Sequence, residues 1–451
     1  MKSRLALAAV GVAAIGFVGS GEGAVAATAP TTQCAPAAHY PAATSAIAFW
    51  STEARCAIIP AGPGGAFGTE NFGNKFPGEA GVYMGIVHVA IYDAAVSLAG
   101  GYQPYAATPH APAGTSADAA IATAAYDTLT GLQPQLGASQ AILDTDYGAY
   151  LAAIPDGTSK QNGITVGEQA AQGVLATRVN DGRGCTTSLT DLGLPAPAPG
   201  IWQPGPGPAL GLCLPGMRPI ALQSPSQFRP DGPNALASRE YAADFNQVKS
   251  LGRADSTTRT TEQTNTALFW TDNNTRQWND AMLRLATARG LSLVQTTRML
   301  AMAHVAAGDA QIACFDAKYH YWFWRPDHAI PGAATDGNPD TVADPSWKPL
   351  ATTPNFPEYP SAHACSSTAV VAALDAFFGT DQVTISLDSR APGLTPGAGT
   401  RTYVRLHDVA KDVDWARVLV GFHFRNSTLQ GSALGRAVGR YVTGHNFQPL
   451  G

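Results

Sequence analysis

The chain is short of charge, and shorter of positive charge than of negative. Only 14% of its 451 residues are Asp, Glu, Lys or Arg, and acidic residues outnumber basic ones 33 to 28. A general attraction to nucleic acid or to an anionic membrane is therefore excluded, and any positively charged site has to be local. Cysteine is scarce, six residues, and neither a C-x-x-C pair nor a His-x-x-x-His spacing argues for zinc. Strand-like alternation is almost missing: Val383-Thr384-Ile385-Ser386-Leu387 is the best candidate, and it is short. Past the N-terminus, the apolar run 82–99 is broken by His88 and Asp93, which favours a buried helix over a membrane span. No internal repeat is strong enough to use.

What is present points to helices. With 45% apolar residues and much alanine, the chain can bury a large core of helix on helix, so the expected class is all-α, two packed helix bundles with long Gly/Pro-rich surface loops. Residues 1–26 read as a signal peptide: Met1-Lys2-Ser3-Arg4 is basic, 5–18 is apolar, and Ala24-Val25-Ala26 offers a cleavage site. Removing Lys2, Arg4 and Glu22 leaves 26 basic and 32 acidic residues, a formal charge of −6, on a secreted, soluble chain with no membrane span. All six cysteines lie beyond this leader. In an exported chain they favour disulfides, with Cys34–Cys56 and Cys185–Cys213 as the near-sequence pairs among 15 possible connectivities.

Residues 27–77 read as an extended, loop-dominated lead-in, and 78–451 as one helical unit. Helical periodicity covers 79–98, 116–130, 139–153 and 158–179, within a first part spanning 79–179. Residues 182–235 form a wrapping loop, dense in Gly and Pro but carrying Trp202, Leu212, Met217, Ile220, Leu222 and Phe228, which suit anchored packing better than a free tether. A catalytic helical part, 236–445, follows, with helices over 238–251, 261–273, 276–289, 292–324, 361–378, 406–421 and 427–443. His88 and Asp93 read as a satisfied polar pair inside a bundle.

Three segments carry chemistry. Pro360-Ser361-Ala362-His363 precedes the apolar stretch 364–378 and reads as a helix N-terminus capped by Ser361, where the serine hydroxyl, the Ala362 N–H and the imidazole of His363 converge on one oxyanion. Lys318 and Arg325 are seven residues apart; on one helix that is two turns, about 10 Å, on nearly one face, with the aromatic run YHYWFW as a dry wall between them. Arg417 precedes His423 by six residues. On an unbroken helix the two point about 120° apart, so convergence needs a break, for which Gly421 is the place. Each segment alone has an ordinary structural explanation: a cap, a snorkelling lysine, a core histidine.

Together, K-x6-R-P, P-S-x-H and R-x5-H in this order resemble the signature shared by vanadium-dependent haloperoxidases and type 2 phosphatidic acid phosphatases. The stretches FWTDNNTRQWN, DAKYHYWFWRPDHAI, FPEYPSAHA, VGFHFR and YMGIVHVAIYDAAV are similar to the bacterial haloperoxidase-like branch. The resemblance implies an all-helical fold in which Lys318, Arg325 and Arg417, with the Ser361 hydroxyl and the Ala362 N–H, bind the oxygens of vanadate or phosphate. It implies that His423 ligates vanadium or, in a phosphatase, becomes phosphohistidine, and that His363 is the acid–base residue. Two positions depart from the pattern: Ala362 stands at the usual glycine of P-S-G-H, and Ser427 at an aspartate that supports the histidine, so a serine hydroxyl is expected to accept the His423 N–H.

The leading expectation is a secreted vanadate-dependent haloperoxidase using hydrogen peroxide and a halide, with a small organic acceptor as a further partner. A secreted acid phosphatase and a non-catalytic oxyanion-binding protein are the alternatives. Phe315, Trp322, Trp324 and Phe356 are expected near the site and tilt the choice towards halide. If Lys318 and His363 share a site, Cys314, one turn before Lys318, and Cys365, two residues after His363, must lie within about a helix diameter of one another.

Overall fold

A computed structural model describes residues 34, 45–60, 73–133, 135–136 and 140–450. The leader read in 1–26 lies outside them. The described residues form thirteen α-helices: α1 (Ala46–Ile58), α2 (Pro77–Ala99), α3 (Ala117–Gly131), α4 (Gln140–Ala152), α5 (Thr158–Thr177), α6 (Arg239–Leu251), α7 (Thr261–Phe269), α8 (Asn274–Ala288), α9 (Leu293–Tyr321), α10 (Pro326–Gly332), α11 (Ala362–Phe378), α12 (Leu406–Leu419) and α13 (Arg425–His445). One two-stranded antiparallel ribbon joins β1 (Ile385–Asp388) to β2 (Thr400–Tyr403). The all-α expectation holds.

A side-chain cap starts six of these thirteen helices. Ser116, Ser238 and Asn273 accept a backbone N–H from the first turns of α3, α6 and α8, and Thr260 and Ser292 complete capping boxes with Gln263 and Gln295 on α7 and α9. The lead-in read as extended contains α1, capped by Ser45, whose hydroxyl accepts from Ala48 N at 3.2 Å. Pattern alone hid it because α1 is buried on nearly all sides, so no polar face marks its period.

The 29-residue α9 is the shared spine. α2 packs along one side of it, carrying α3, α5 and α1; α11 and α13 pack along the other with α12. α2 is apolar and long enough to cross a membrane by composition, but it is buried inside the described fold, as the interruptions at His88 and Asp93 suggested. Those two residues are not a pair. Asp93 accepts the N–H groups of Tyr105, Ala106 and Ala107, while His88 shares a hydrogen bond with the Ser51 hydroxyl and stacks on His304.

The wrapping loop is anchored. Trp202, Met217, Ile220 and Leu222 are buried, the Cys185–Cys213 disulfide staples its first half, and the N–H groups of Ile220, Ala221 and Leu222 all donate to the Asp309 carboxylate on α9. The expected Cys34–Cys56 bond ties the start of the described chain to α1.

Three glycines set the spacing between α11 and α13. Gly431, Gly435 and Gly439 recur every fourth residue on α13, and a Cβ at them would meet the carbonyl oxygens of Ser361, Cys365 and Ala369, 2.7 Å away at the first and last. Substituting Gly435→Ala should therefore push α13 off the helix that begins at the Ser361–His363 segment. The expected result is a loss of about 1–3 kcal/mol in urea unfolding, against a near-neutral Gly444→Ala, whose Cβ meets nothing.

Candidate active site

Three chain reversals bring the cationic and histidine side chains together. α9 stops at Tyr321 because Trp322 adopts a left-handed conformation (φ 52°), three residues before the expected end. Lys318 and Arg325 therefore do not share a helix face. Lys318 sits in the last turn of α9, and Arg325 precedes Pro326 as the N-cap residue of α10, turned back towards it. α12 ends at Leu419, and Gly421 (φ 84°) makes the break that lets Arg417 and His423 converge. α11 begins at Ala362 with Ser361 as its N-cap residue, as expected.

Ser361 differs from the other capping residues. Its hydroxyl makes no cap hydrogen bond, is 0% exposed, and has no partner among the described residues. Arg325 Nη2, Arg417 Nε and His363 Nε2 are likewise buried polar atoms without a partner among the described residues. Four unsatisfied groups of this kind each carry a desolvation cost of about 1–3 kcal/mol, which a ligand that pairs with them removes.

The remaining valences of the same side chains fix their direction. Lys318 Nζ donates to the carbonyls of Pro357 and Glu358, both at 2.9 Å. Arg325 donates through Nε to Phe356 O and through Nη1 to Phe422 O, both at 3.0 Å; Arg417 Nη1 donates to Trp270 O at 2.6 Å. Gln311 on α9 donates to Ala362 O at 3.1 Å, holding the start of α11 against the spine.

His423 is held from both sides. Arg325 Nη1 lies 3.1 Å from its Nε2, and a guanidinium only donates, so Nε2 carries the lone pair. Nδ1 then carries the proton and donates to Glu358 Oε1 at 2.9 Å. Glu358 also accepts from Phe424 N at 3.0 Å and from the Ser427 hydroxyl at 2.5 Å. This corrects the expectation at Ser427: its hydroxyl donates to Glu358 rather than accepting from His423, and the carboxylate comes from the segment before α11. The sequence signal for this residue is a lone carboxylate inside the apolar, aromatic stretch FPEYPSAHA of a chain with little charge.

Burial sets the electrostatics. It lowers Lys318 to about 8, Arg417 to about 9 and Arg325 to about 10; the Arg325 charge adds to the effect at Lys318 and Arg417, while Glu358 opposes it at Arg325. Burial and the same cations hold His363 and His423 well below the usual imidazole range, so both are neutral, while burial raises Glu358 to about 7 against the pull of Ser427, Arg325 and Lys318. For His363 the Asp272 carbonyl opposes the shift; with Nε2 unpartnered, that contact is to Nδ1, which leaves the Nε2 lone pair available.

A cavity of about 380 Å³ reaches Ala362, His363 and Arg417. Phe76, Leu210, Pro354, Phe356 and Phe422 form its apolar wall, and Asp272, Asn274, Gln311 and Arg390 its polar side. Lys318, Arg325, Ser361 and His423 lie in the layer beneath, buried. Of the four aromatic residues expected here, Phe356 lines the cavity, 5.0 Å from Lys318 Nζ and 4.7 Å from Arg325 Cζ, with Phe315 behind it. Trp322 and Trp324 do not line it; Trp322 stacks on Trp202, and Trp324 joins a separate core around Tyr241 and Phe245.

The site should prefer an anion, and prefer it at lower pH. Lys318 must be protonated to hold one, and its free-site value is about 8; Glu358 gains negative charge as pH rises through about 7. Both changes weaken anion binding in the same direction. Sulfate, which does not titrate in this range, should bind at least about tenfold more weakly at pH 9 than at pH 6. Calorimetric titration at the two pH values checks this, and equal affinities would contradict it.

Residues 298–450 match the VCPO second helical-bundle domain. Vanadium chloroperoxidase of Curvularia inaequalis is 27% identical over 184 aligned positions, which span 34% of this chain and 29% of that relative. The fold matches a bacterial vanadium-dependent iodoperoxidase with a TM-score of 0.68 at 21% identity, covering 89% of this chain and 96% of the other. It also matches the holo form of a bacterial vanadium-dependent chloroperoxidase, with a TM-score of 0.62 at 17% identity over 82% and 92% of the two chains. The matched residues 298–450 contain Lys318, Arg325, Ser361, His363, Arg417 and His423, so the part of the chain that carries the site is similar to the second helical bundle of vanadium chloroperoxidases, and the fold is that of the bacterial vanadium-dependent haloperoxidases.

Proposed function

We propose that the protein is a vanadate-dependent haloperoxidase that uses hydrogen peroxide to oxidise a halide. The observation that carries the reading is the set of four buried, unpartnered groups at Ser361, Arg325, Arg417 and His363. Vanadate fits them: it is an oxyanion, three of the four groups are donors, and Lys318, Arg325 and Arg417 stand against the buried carboxylate of Glu358. When bound there, it supplies Lewis-acid activation of peroxide towards halide without changing its own oxidation state.

The chain's residues divide the remaining work. Lys318, Arg325, Arg417, the Ser361 hydroxyl and the Ala362 N–H would hold the oxyanion, and the Nε2 lone pair of His423, once Arg325 turns from it to the oxyanion, would be the ligand to vanadium. Glu358 keeps that lone pair in place by taking the proton on Nδ1. His363 Nε2, free and neutral, receives the proton of incoming peroxide. Phe356 and Phe422 exclude water beside the cations, which suits a weakly hydrated halide or a small organic acceptor better than a charged phosphate ester.

Residues 78–451 act as one unit in this reading, and the two disulfides support secretion to an oxidising compartment. The test is to assay vanadate-loaded protein for iodide and bromide oxidation beside aryl phosphate hydrolysis by vanadate-free protein. Halide oxidation that depends on vanadate is the expected result. Phosphate ester hydrolysis through His423 with no halide oxidation would replace the reading with a phosphatase, and inactivity in both assays with oxyanion bound would leave a binding protein.

A further inference from the structure

Two of the six cysteines are not used by the disulfides already described. Cys314 on α9 and Cys365 on α11 are both 0% exposed, and as two thiols their sulfurs stand 2.7 Å apart. Unbonded heavy atoms rest at about 3.5–4.0 Å, whereas a disulfide holds its sulfurs at about 2.05 Å. The position is set by both helices: Cys314 is one turn after Gln311, Cys365 one turn after Ala362, and Gln311 is hydrogen-bonded to Ala362. The two sulfurs therefore lie one layer behind the cavity's floor, within electrostatic range of Lys318.

We propose that Cys314 and Cys365 form a third disulfide, which ties α9 to α11 directly behind the oxyanion site. The bond links the helix that carries Lys318 to the helix that begins at Ser361 and His363. It also removes the two free thiols beside a cavity proposed to handle peroxide and oxidised halogen, where a lone buried sulfur would be open to sulfenic and sulfinic oxidation. The second consequence rests on the proposed function; the bond itself does not.

Hydrogen peroxide is the oxidant in this proposal. One thiol attacks the O–O bond, becomes a sulfenic acid and releases water; the second thiol attacks that sulfur, the S–S bond forms and the sulfenic oxygen leaves as a second water. Two thiols are oxidised, and one peroxide is reduced to two waters.

The test uses the full wild-type chain made by secretion and denatured in the presence of an alkylating reagent. The expected result is no alkylated cysteine before reduction, all six after it, and a cross-linked peptide containing Cys314 and Cys365. Alkylation of Cys314 and Cys365 alone, with the other four protected, would overturn the proposal. A second arm reduces the native protein and adds one equivalent of peroxide without vanadate or halide. Regain of the cross-link, with a mass lower by two hydrogens, is expected; added oxygen at either cysteine, or no change, contradicts the peroxide route. Neither arm depends on vanadate, so a protein with the bond but no haloperoxidase activity would overturn the functional reading and leave this one standing.

Discussion

His363→Ala is expected to keep its vanadate and lose halide oxidation by about 10²–10³-fold, whereas His423→Ala is expected to lose vanadate itself. The two imidazoles are both neutral, His423 buried and His363 half-buried at the cavity wall, yet they face different tasks. His423 presents a lone pair whose direction is fixed by Glu358 on one nitrogen and Arg325 on the other. Removing it leaves the three cations, which attract an oxyanion without fixing its central atom, so affinity should fall by at least about 10². His363 lines the cavity, and the oxyanion keeps its other partners when it is gone. If the protein were a phosphatase, the same pair would separate differently: His363→Ala would slow esters with basic leaving groups far more than activated aryl esters, because general acid catalysis matters most there. Vanadium content, bromide oxidation and aryl phosphate hydrolysis, measured for wild type and both variants, distinguish the cases. Halide oxidation that survives in His423→Ala would count against the assigned roles.

Glu358→Ala should be the most damaging substitution outside the residues that touch the oxyanion. The carboxylate is 0% exposed and accepts from three buried donors: His423 Nδ1, Phe424 N and the Ser427 hydroxyl. Leaving them unpaired costs about 1–3 kcal/mol each, a large part of a total stability of about 5–15 kcal/mol, so this variant is expected to unfold at markedly lower temperature. Glu358→Gln keeps one acceptor oxygen and the packing while losing the charge. It is expected to fold, to bind vanadate about 10–100-fold more weakly, and to lose the part of the pH dependence that arises near 7. Tm together with vanadate affinity separates the two effects. A Glu358→Gln protein with wild-type affinity would reduce Glu358 to a packing role.

The sequence made most helices legible because their caps and periods are local: Ser116, Ser238, Thr260, Asn273 and Ser292 start helices where their hydroxyl or amide can accept a first-turn N–H. It also made the break at Gly421 legible, since only a reversal could bring Arg417 to His423. The path from Lys318 to Arg325 was misread because helix formers run on through the aromatic segment, and nothing local marks Trp322 as left-handed. Pro326, which cannot continue the helix expected over 292–324, is the first residue of a new one. Trp322 consequently packs on Trp202 and Trp324 enters the core around Tyr241 and Phe245. Glu358 was missed because its partners, His423 and Ser427, are 65 and 69 residues away, a relation that only the packed structure supplies. The glycines of α13 were missed for a related reason. Their spacing has meaning only once α11 lies against them.

The most direct measurement is equilibrium dialysis of vanadate-free wild-type protein against orthovanadate, with vanadium counted per chain and iodide and bromide oxidation assayed on the same samples. The account predicts saturation at one vanadium per chain, competition by phosphate for the same site, and halide oxidation that rises in proportion to vanadium bound. No saturable vanadium, or halide oxidation independent of it, would contradict the account.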